Sequence, residues 1–246
     1  MHQLRKPYLL FLGDAQLKSD AKTAFGLRDW CRSDVVGEWS LPEATVSLDL
    51  PRLSPQQAAE QGAGSMVLGI AAVGGALPEH WLDEVEAALN AGLDIVSGLH
   101  SRLTAFPRLV EAAQRSGAKL LDVRHSDAVF PAGNGQKRTG KRVLTVGTDC
   151  ALGKKYTALA LTQALRELGM AATFRATGQT GLMIAGEGVA IDAVISDFVA
   201  GAAEQLSPDN APEHWDVIEG QGALFHPAYA GVTLGPLHGS QPDALV

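Results

Sequence analysis

Val143-Leu-Thr-Val-Gly-Thr-Asp-Cys-Ala-Leu-Gly-Lys-Lys-Tyr-Thr157 is the stretch on which the reading of this chain turns. A short apolar run leads into a loop bounded by Gly147 and Gly153, and Lys154 then opens an amphipathic segment that reaches Leu168 and is ended by Gly169. Strand, loop and helix in that order form an anion-binding device. Backbone N–H groups of the loop and of the helix start converge on one point, and glycine lets the backbone come close. Lysine at a helix N-terminus is unfavourable by itself, because the helix dipole is positive there. A bound phosphate removes the conflict. Gly147, Thr148, Asp149, Cys150, Ala151, Leu152, Gly153, Lys154 and Lys155 are therefore read as the phosphate-binding set. The competing reading is a glycine-rich turn with no ligand and two solvated lysines.

Two details depart from the standard phosphate loop. Five residues, Thr148 to Leu152, separate the glycines, where the standard pattern has four. The residue after Lys154 is Lys155, where a nucleotide hydrolase places a Ser or Thr hydroxyl on magnesium. Thr157 comes two positions later and points elsewhere on the helix. The five-residue spacing and the Gly-Thr-Asp form resemble the loop of dethiobiotin synthetase. That resemblance implies an ATP- and magnesium-dependent ligase or kinase-like enzyme, whereas Lys155 speaks for phosphate binding without ATP turnover.

The rest of the second half continues the alternation. Arg142–Val146, Ala171–Ala176, Asp216–Glu219 and Ala244–Val246 read as strands, and Ile191–Ala203 carries apolar residues at helical intervals. A doubly wound sheet normally covers its last strand with a helix. A chain stopping at Val246 is thus expected to lack a C-terminal portion. In the first half, Tyr8–Leu12, Ser65–Ala71, Leu93–Ser97 and Lys119–Val123 read as buried strands, with Asp34–Trp39 a weaker one. Glu79–Ala91 and Thr104–Arg115 read as helices, punctuated by Pro78 and Gly92 around the first. The expected fold class is α/β: a Rossmann-like domain over 1–130, a Gly- and charge-rich linker over 131–141, and a phosphate-loop parallel-sheet domain over 142–246.

Composition narrows the partners. Apolar residues make up 46% of the 246, enough for packed parallel sheets, and charged residues only 19%. A formal charge of −7, with no basic arm, argues against binding nucleic acid through its phosphates. The two cysteines, Cys31 and Cys150, make neither a disulfide framework nor a metal signature. The apolar run after Lys6 is too short for a signal peptide, and no window approaches a membrane span. A cytoplasmic protein is expected, with no membrane or nucleic-acid partner, and a homo-oligomer is common for such domains.

Several polar side chains fall at expected strand ends, where open α/β sheets bind ligands. Arg175, Gln179 and Thr180 lie in and after the strand that precedes Thr177-Gly178-Gln179-Thr180-Gly181. Arg175 suits a carboxylate, and the two others suit a polar substrate. The alternative is a turn whose glycines serve backbone geometry alone. Glu219 closes an apolar strand, in the place of the metal-binding carboxylate of phosphate-loop proteins, and equally suits a general base. His226 and His238, both expected in loops, can carry a proton near neutral pH, or be merely structural. His100 follows a strand of the first half and is a candidate to face the ligand from there.

Taken together, these residues resemble a bacterial family long labelled as of unknown function, with a Rossmann-like N-terminal and a phosphate-loop C-terminal domain. The matching stretches are Asp20-Ala-Lys-Thr-Ala, Gly147 to Lys155, Ala176-Thr-Gly-Gln-Thr-Gly, Asp192-Ala-Val with Asp197-Phe, Val217-Ile-Glu-Gly-Gln-Gly, Phe225-His-Pro and His238-Gly-Ser-Gln-Pro-Asp. Family members continue well beyond the position of Val246. They include an N-acetyltransferase of D-amino-acid catabolism that uses acetyl-CoA to acetylate D-glutamate. The resemblance implies acetyl-CoA as acyl donor, its phosphates on the loop, and an amino acid as acceptor, with no metal required. It implies Glu219, His226 or His238 as base, the loop N–H groups or Lys154 as oxyanion donors, and Arg175 and Lys155 as carboxylate partners.

Overall fold

The computed structural model describes residues 4–70, 75–125 and 128–246. The chain divides into two compact units, Met1–His125 and Ser126–Val246. Each is built on its own parallel sheet.

The first unit carries strands β1 (Tyr8–Phe11), β2 (Val35–Trp39), β3 (Ser65–Leu68), β4 (Asp94–Ser97) and β5 (Leu120–Asp122). They are joined by helices α1 (Lys22–Trp30), α2 (Pro55–Glu60), α3 (Leu82–Asn90) and α4 (Pro107–Ser116). The strand order is β2-β1-β3-β4-β5, with every pairing parallel. This is the doubly wound arrangement, whose winding reverses between β1 and β3. Tyr8 to Leu12 are wholly buried, as a strand covered on both faces requires. Local chemistry sets the helix ends. Ser54 and Gln57 form a reciprocal capping box ahead of α2, Pro107 opens α4, and Gly117 closes it at φ +76°. The helix expected over Glu79–Ala91 begins as a 3-10 turn, Glu79–Trp81, before α3. The expected strand from Ser65 ends at Leu68, and Ala71 lies outside the described residues.

The second unit carries strands β6 (Lys141–Leu144), β7 (Ala172–Arg175), β8 (Trp215–Ile218) and β9 (Ala244–Leu245), with helices α5 (Lys154–Glu167), α6 (Gln179–Ala185), α7 (Val199–Leu206) and α8 (Ala230–Ser240). The order β7-β8-β6-β9 is again wholly parallel, with Leu144 paired to both Ile218 and Leu245. Strand β6, which feeds the phosphate loop, therefore lies inside the sheet, next to β8.

Three expectations change here. Ile191–Ala203 is not one helix. Val194 and Ile195 are extended, and the apolar run splits into 3-10 turns at Ile191–Ala193 and Ser196–Phe198 before α7. The β-branched pair favours that extended backbone, so the apolar spacing reflects two separate contacts with one core. Ile191, Val199 and Ala202 meet there, together with Phe130 and Val232. Next, Gln179 and Thr180 open a helix, α6, rather than sit in a turn. Finally, His238 lies in the last turn of α8 and not in a loop.

Residues 131–141 run along the second unit. The N–H groups of Asn134 and Gly135 donate to Glu204 (2.9 and 2.8 Å), and that of Thr139 donates to Asp209 (2.7 Å). The fully buried guanidinium of Arg142 then donates to the carbonyls of Ser207, Arg138, Gly140, Thr139 and Pro208 at 3.0–3.3 Å. One side chain thus gathers the entry to β6 and the segment after α7. Among the described residues, no helix is long and apolar enough to cross a membrane.

Candidate functional site

The loop after β6 has the conformation that its glycines imply. Gly153 caps α5 at φ +106°, and Ala151 also adopts a left-handed backbone, φ +58°, which is uncommon for a residue with a Cβ. Such alternation turns successive N–H groups to one side. The Asp149 carboxylate accepts from Cys150 N–H (2.7 Å). Lys154 folds back over the loop, and its Nζ donates to the Asp149 carbonyl at 3.0 Å. The first turn of α5 contains no acid, and Lys154 and Lys155 are its first two residues. The cationic helix start found in the sequence is thus real and faces the loop.

Strand β8 delivers Glu219 beside this loop. Gly220, the next residue, is pressed against both the Thr145 carbonyl and the stem of Lys154, and a Cβ there would overlap the carbonyl oxygen. Thr145 ties the two strand ends together: its hydroxyl donates to the Lys154 carbonyl (3.1 Å) and accepts from Gly220 N–H (2.9 Å). Close approach of β8 to α5 is therefore written into Gly220 and Thr145, neither of which the sequence reading singled out.

Glu219 itself is buried, 3% exposed. Its Oε2 accepts from the N–H groups of Thr177 (2.9 Å) and Gly178 (3.1 Å), and its carbonyl accepts from the Thr177 hydroxyl (2.6 Å). Gly181 lies directly on the carboxylate, with no room for a side chain. Burial pushes the Glu219 carboxyl up to about 7, against the two N–H donors and the Lys155 charge, which favour ionisation; Asp192 adds to the rise. A carboxyl that changes charge near neutrality can take and return a proton at physiological pH.

A second loop closes on the first. Leu224 N–H donates to the Gly147 carbonyl (2.8 Å), and Phe225 N–H to that of Thr148 (3.4 Å). His226 follows at once, half-buried, its ring 4.7 Å from that of Tyr229. Its Nδ1 accepts from Ala228 N–H (3.3 Å), so the neutral ring carries its proton on Nε2 and presents a donor.

The structure thus brings Gly147 to Lys155, Glu219, His226 and the Thr177–Thr180 segment to one end of one sheet. Gln179 is half-buried at the start of α6, and Thr180 is buried. The other candidates are placed differently. Arg175 donates from Nε to the buried Asp216 (2.8 Å) and lies 3.9 Å from Glu187, so its charge is balanced inside the unit. His238 is exposed five residues beyond Thr233, the residue that bonds the Gln221 carbonyl (2.8 Å). Its neighbours Gly239 and Ser240 meet Arg138, ahead of β6, so His238 lies at the amino end of the sheet and away from the loop. His100 belongs to the first unit, exposed after β4, its N–H on the Gly75 carbonyl and its own carbonyl on His125 Nε2 (3.0 Å). Also in that unit, Asp14, which follows β1, accepts from Trp81 Nε1 (3.1 Å) and faces His80 Nε2 (3.0 Å). No cluster of three or more His, Cys, Asp or Glu suited to a metal ion occurs among the described residues.

Known proteins match this architecture throughout. Residues 131–246 match the P-loop domain of the family described as a domain of unknown function, DUF1611, and residues 37–126 match that family's Rossmann-like domain. A Pseudoalteromonas protein named D-glutamate N-acetyltransferase is 54% identical over 244 residues, covering 99% of this chain and 74% of its own. A protein of the same name from Tritonibacter scottomollicae is 49% identical over 243 residues, covering 99% and 73%. The crystal structure of a DUF1611 family protein from Anabaena variabilis superposes with a TM-score of 0.84 at 35% identity, covering 98% of this chain and 73% of its own.

Proposed function

Because the chain belongs to the DUF1611 family, we propose that it transfers an acetyl group from acetyl-CoA to the amino group of D-glutamate. One observation carries this reading: two relatives, each about half identical over 99% of the chain, bear the name of that activity. The geometry supports it by supplying the two things acyl transfer from a coenzyme A thioester needs. An anion seat, Gly147 to Lys154, is suited to the coenzyme's phosphates. Beside it, Glu219 titrates near 7 and is suited to deprotonate an amine.

In the proposed reaction the ionised Glu219 carboxylate accepts a proton from the acceptor nitrogen. The freed amine adds to the thioester carbonyl carbon, and the oxyanion that forms is met by N–H donors of the loop or by Lys154. As the carbon–sulfur bond breaks and its electron pair stays on sulfur, the adduct nitrogen gives up its surplus proton, the coenzyme A thiolate takes one up, and Glu219 releases the other to solvent. His226, neutral with its proton on Nε2, is suited to hydrogen-bond the departing sulfur while keeping that proton. With Arg175 engaged by Asp216, polar recognition of the acceptor at this edge falls to Gln179 and Thr180.

The test is thiol release from acetyl-CoA, followed with a thiol reagent, with D-glutamate, with L-glutamate and without acceptor. Release that depends on D-glutamate supports the reading. Phosphate release from ATP and magnesium under matched conditions, with no thiol release, would replace it with the ligase reading that the loop spacing suggests.

A further inference from the structure

Phosphate loops of the standard pattern hold their ligand with a magnesium ion, placed by a hydroxyl after the loop lysine and by a carboxylate from a neighbouring strand. The residues here do not fit that ion. Lys155 stands in the hydroxyl position, as the second residue of α5. The strand-end carboxylate, Glu219, is turned to the backbone: one of its oxygens is held by the N–H groups of Thr177 and Gly178, and Gly181 packs onto it. Gly220 is pressed on the stem of Lys154, so the end of β8 and the first turn of α5 are in direct contact. The Lys155 ammonium lies over the Tyr156 ring, 5.3 Å from its centroid, in the same first turn of α5, and its charge opposes the rise that burial produces in Glu219.

We propose that Lys155 supplies, as a side chain, the positive charge that a divalent cation brings to other phosphate loops, so that this site takes its phosphorylated ligand without a metal. The inference rests on the phosphate-site reading above and adds to it a mode of charge neutralisation. Lysine serves this purpose as a compact point charge on a flexible stem. A pair of lysines on one helix start sets one cation over the loop and a second beside it, over the Tyr156 ring. The loop then needs neither the hydroxyl nor the ion.

Calorimetric titration with coenzyme A, in EDTA and again in excess magnesium, tests this on the intact chain. The expected result is the same dissociation constant in both, within about twofold. Lys155→Thr, which restores the hydroxyl, is expected to weaken binding about tenfold or more in EDTA, the loss of one charge-assisted contact, and to regain part of it in magnesium. Lys155→Arg keeps the charge and is expected to bind in EDTA within severalfold of the parent. Binding by the parent that tightens tenfold in magnesium would overturn the proposal and leave the phosphate site standing. Lys155→Thr binding as tightly as the parent in EDTA would do the same. A parent that binds no coenzyme A in either buffer would remove the phosphate-site reading, and this proposal with it.

Discussion

Replacing Glu219 by Gln separates the two consequences of burying a carboxyl group. The side chain is 3% exposed, and burial lifts its pKa from the ordinary 4.5 to about 7. A folded-state value above the unfolded one means that the protonated form is favoured by folding. The contribution to stability is fully present below pH 4.5 and is lost as the pH rises through 7. The interval is about two and a half pH units, each worth ~1.36 kcal/mol, so the ionised group costs the fold about 3 kcal/mol above pH 7. Gln is close to isosteric, keeps an oxygen for the Thr177 and Gly178 N–H groups, and carries no charge at any pH. Urea unfolding of parent and Glu219→Gln, compared between pH 5 and pH 8, isolates the effect, since every other titration is common to both. The stability difference between the two proteins is expected to move by roughly 2–3 kcal/mol over that range, in favour of the variant at high pH. Acetyl transfer by the variant is expected to fall by about 10²–10⁴, the typical worth of a positioned general base. Stability curves that run parallel from pH 5 to pH 8 would refute the buried-titration argument. Unchanged turnover would remove Glu219 as the base.

The remaining predictions concern the frame around that group. Gly220→Ala forces a methyl into the Thr145 carbonyl and is expected to cost about 3 kcal/mol or more, read as a lowered melting temperature with loss of coenzyme A binding. Arg142→Leu leaves the carbonyls around its guanidinium without their donor inside the unit, and is expected to destabilise by about 3–5 kcal/mol in urea unfolding. His238→Ala is expected to leave kcat/KM within about twofold, whereas His226→Ala, which removes the hydrogen bond proposed for the departing sulfur, is expected to lower kcat by about tenfold. Equal losses for the two histidines would contradict the placement of His238 at the far end of the sheet.

Much of the fold was legible in short apolar runs, because strands buried on both faces need no alternation. The runs at Tyr8, Ser65, Leu93 and Lys119 each became a strand of the first sheet, and the strand, glycine loop and lysine-led helix of the second unit stand in the order their residues imply. What the sequence concealed came from long-range geometry. The spacing of Ile191 to Ala203 satisfies a helix, yet Val194 and Ile195 lie extended, because two separate turns share one core. Helix α1 was not foreseen: only Ala24, Gly26 and Leu27 of its nine residues are buried, too few to print a clear stripe. For the candidate site, residue type singles out Glu219 and the loop, which the structure sets side by side. The balance of Arg175 by Asp216, forty-one positions away, has no local signature. Nor does the restraint that Thr145 and Gly220 place on each other across neighbouring strands.

The backbone bonds from Leu224 and Phe225 to Gly147 and Thr148 splice two segments more than seventy positions apart into one mechanical part. Loop length and histidine position are therefore not separable features. Shortening the five-residue interval to four, to imitate a nucleotide hydrolase, would move the Gly147 and Thr148 carbonyls and drag His226 with them. The odd spacing is thus anchored from outside the loop, by the segment that carries His226.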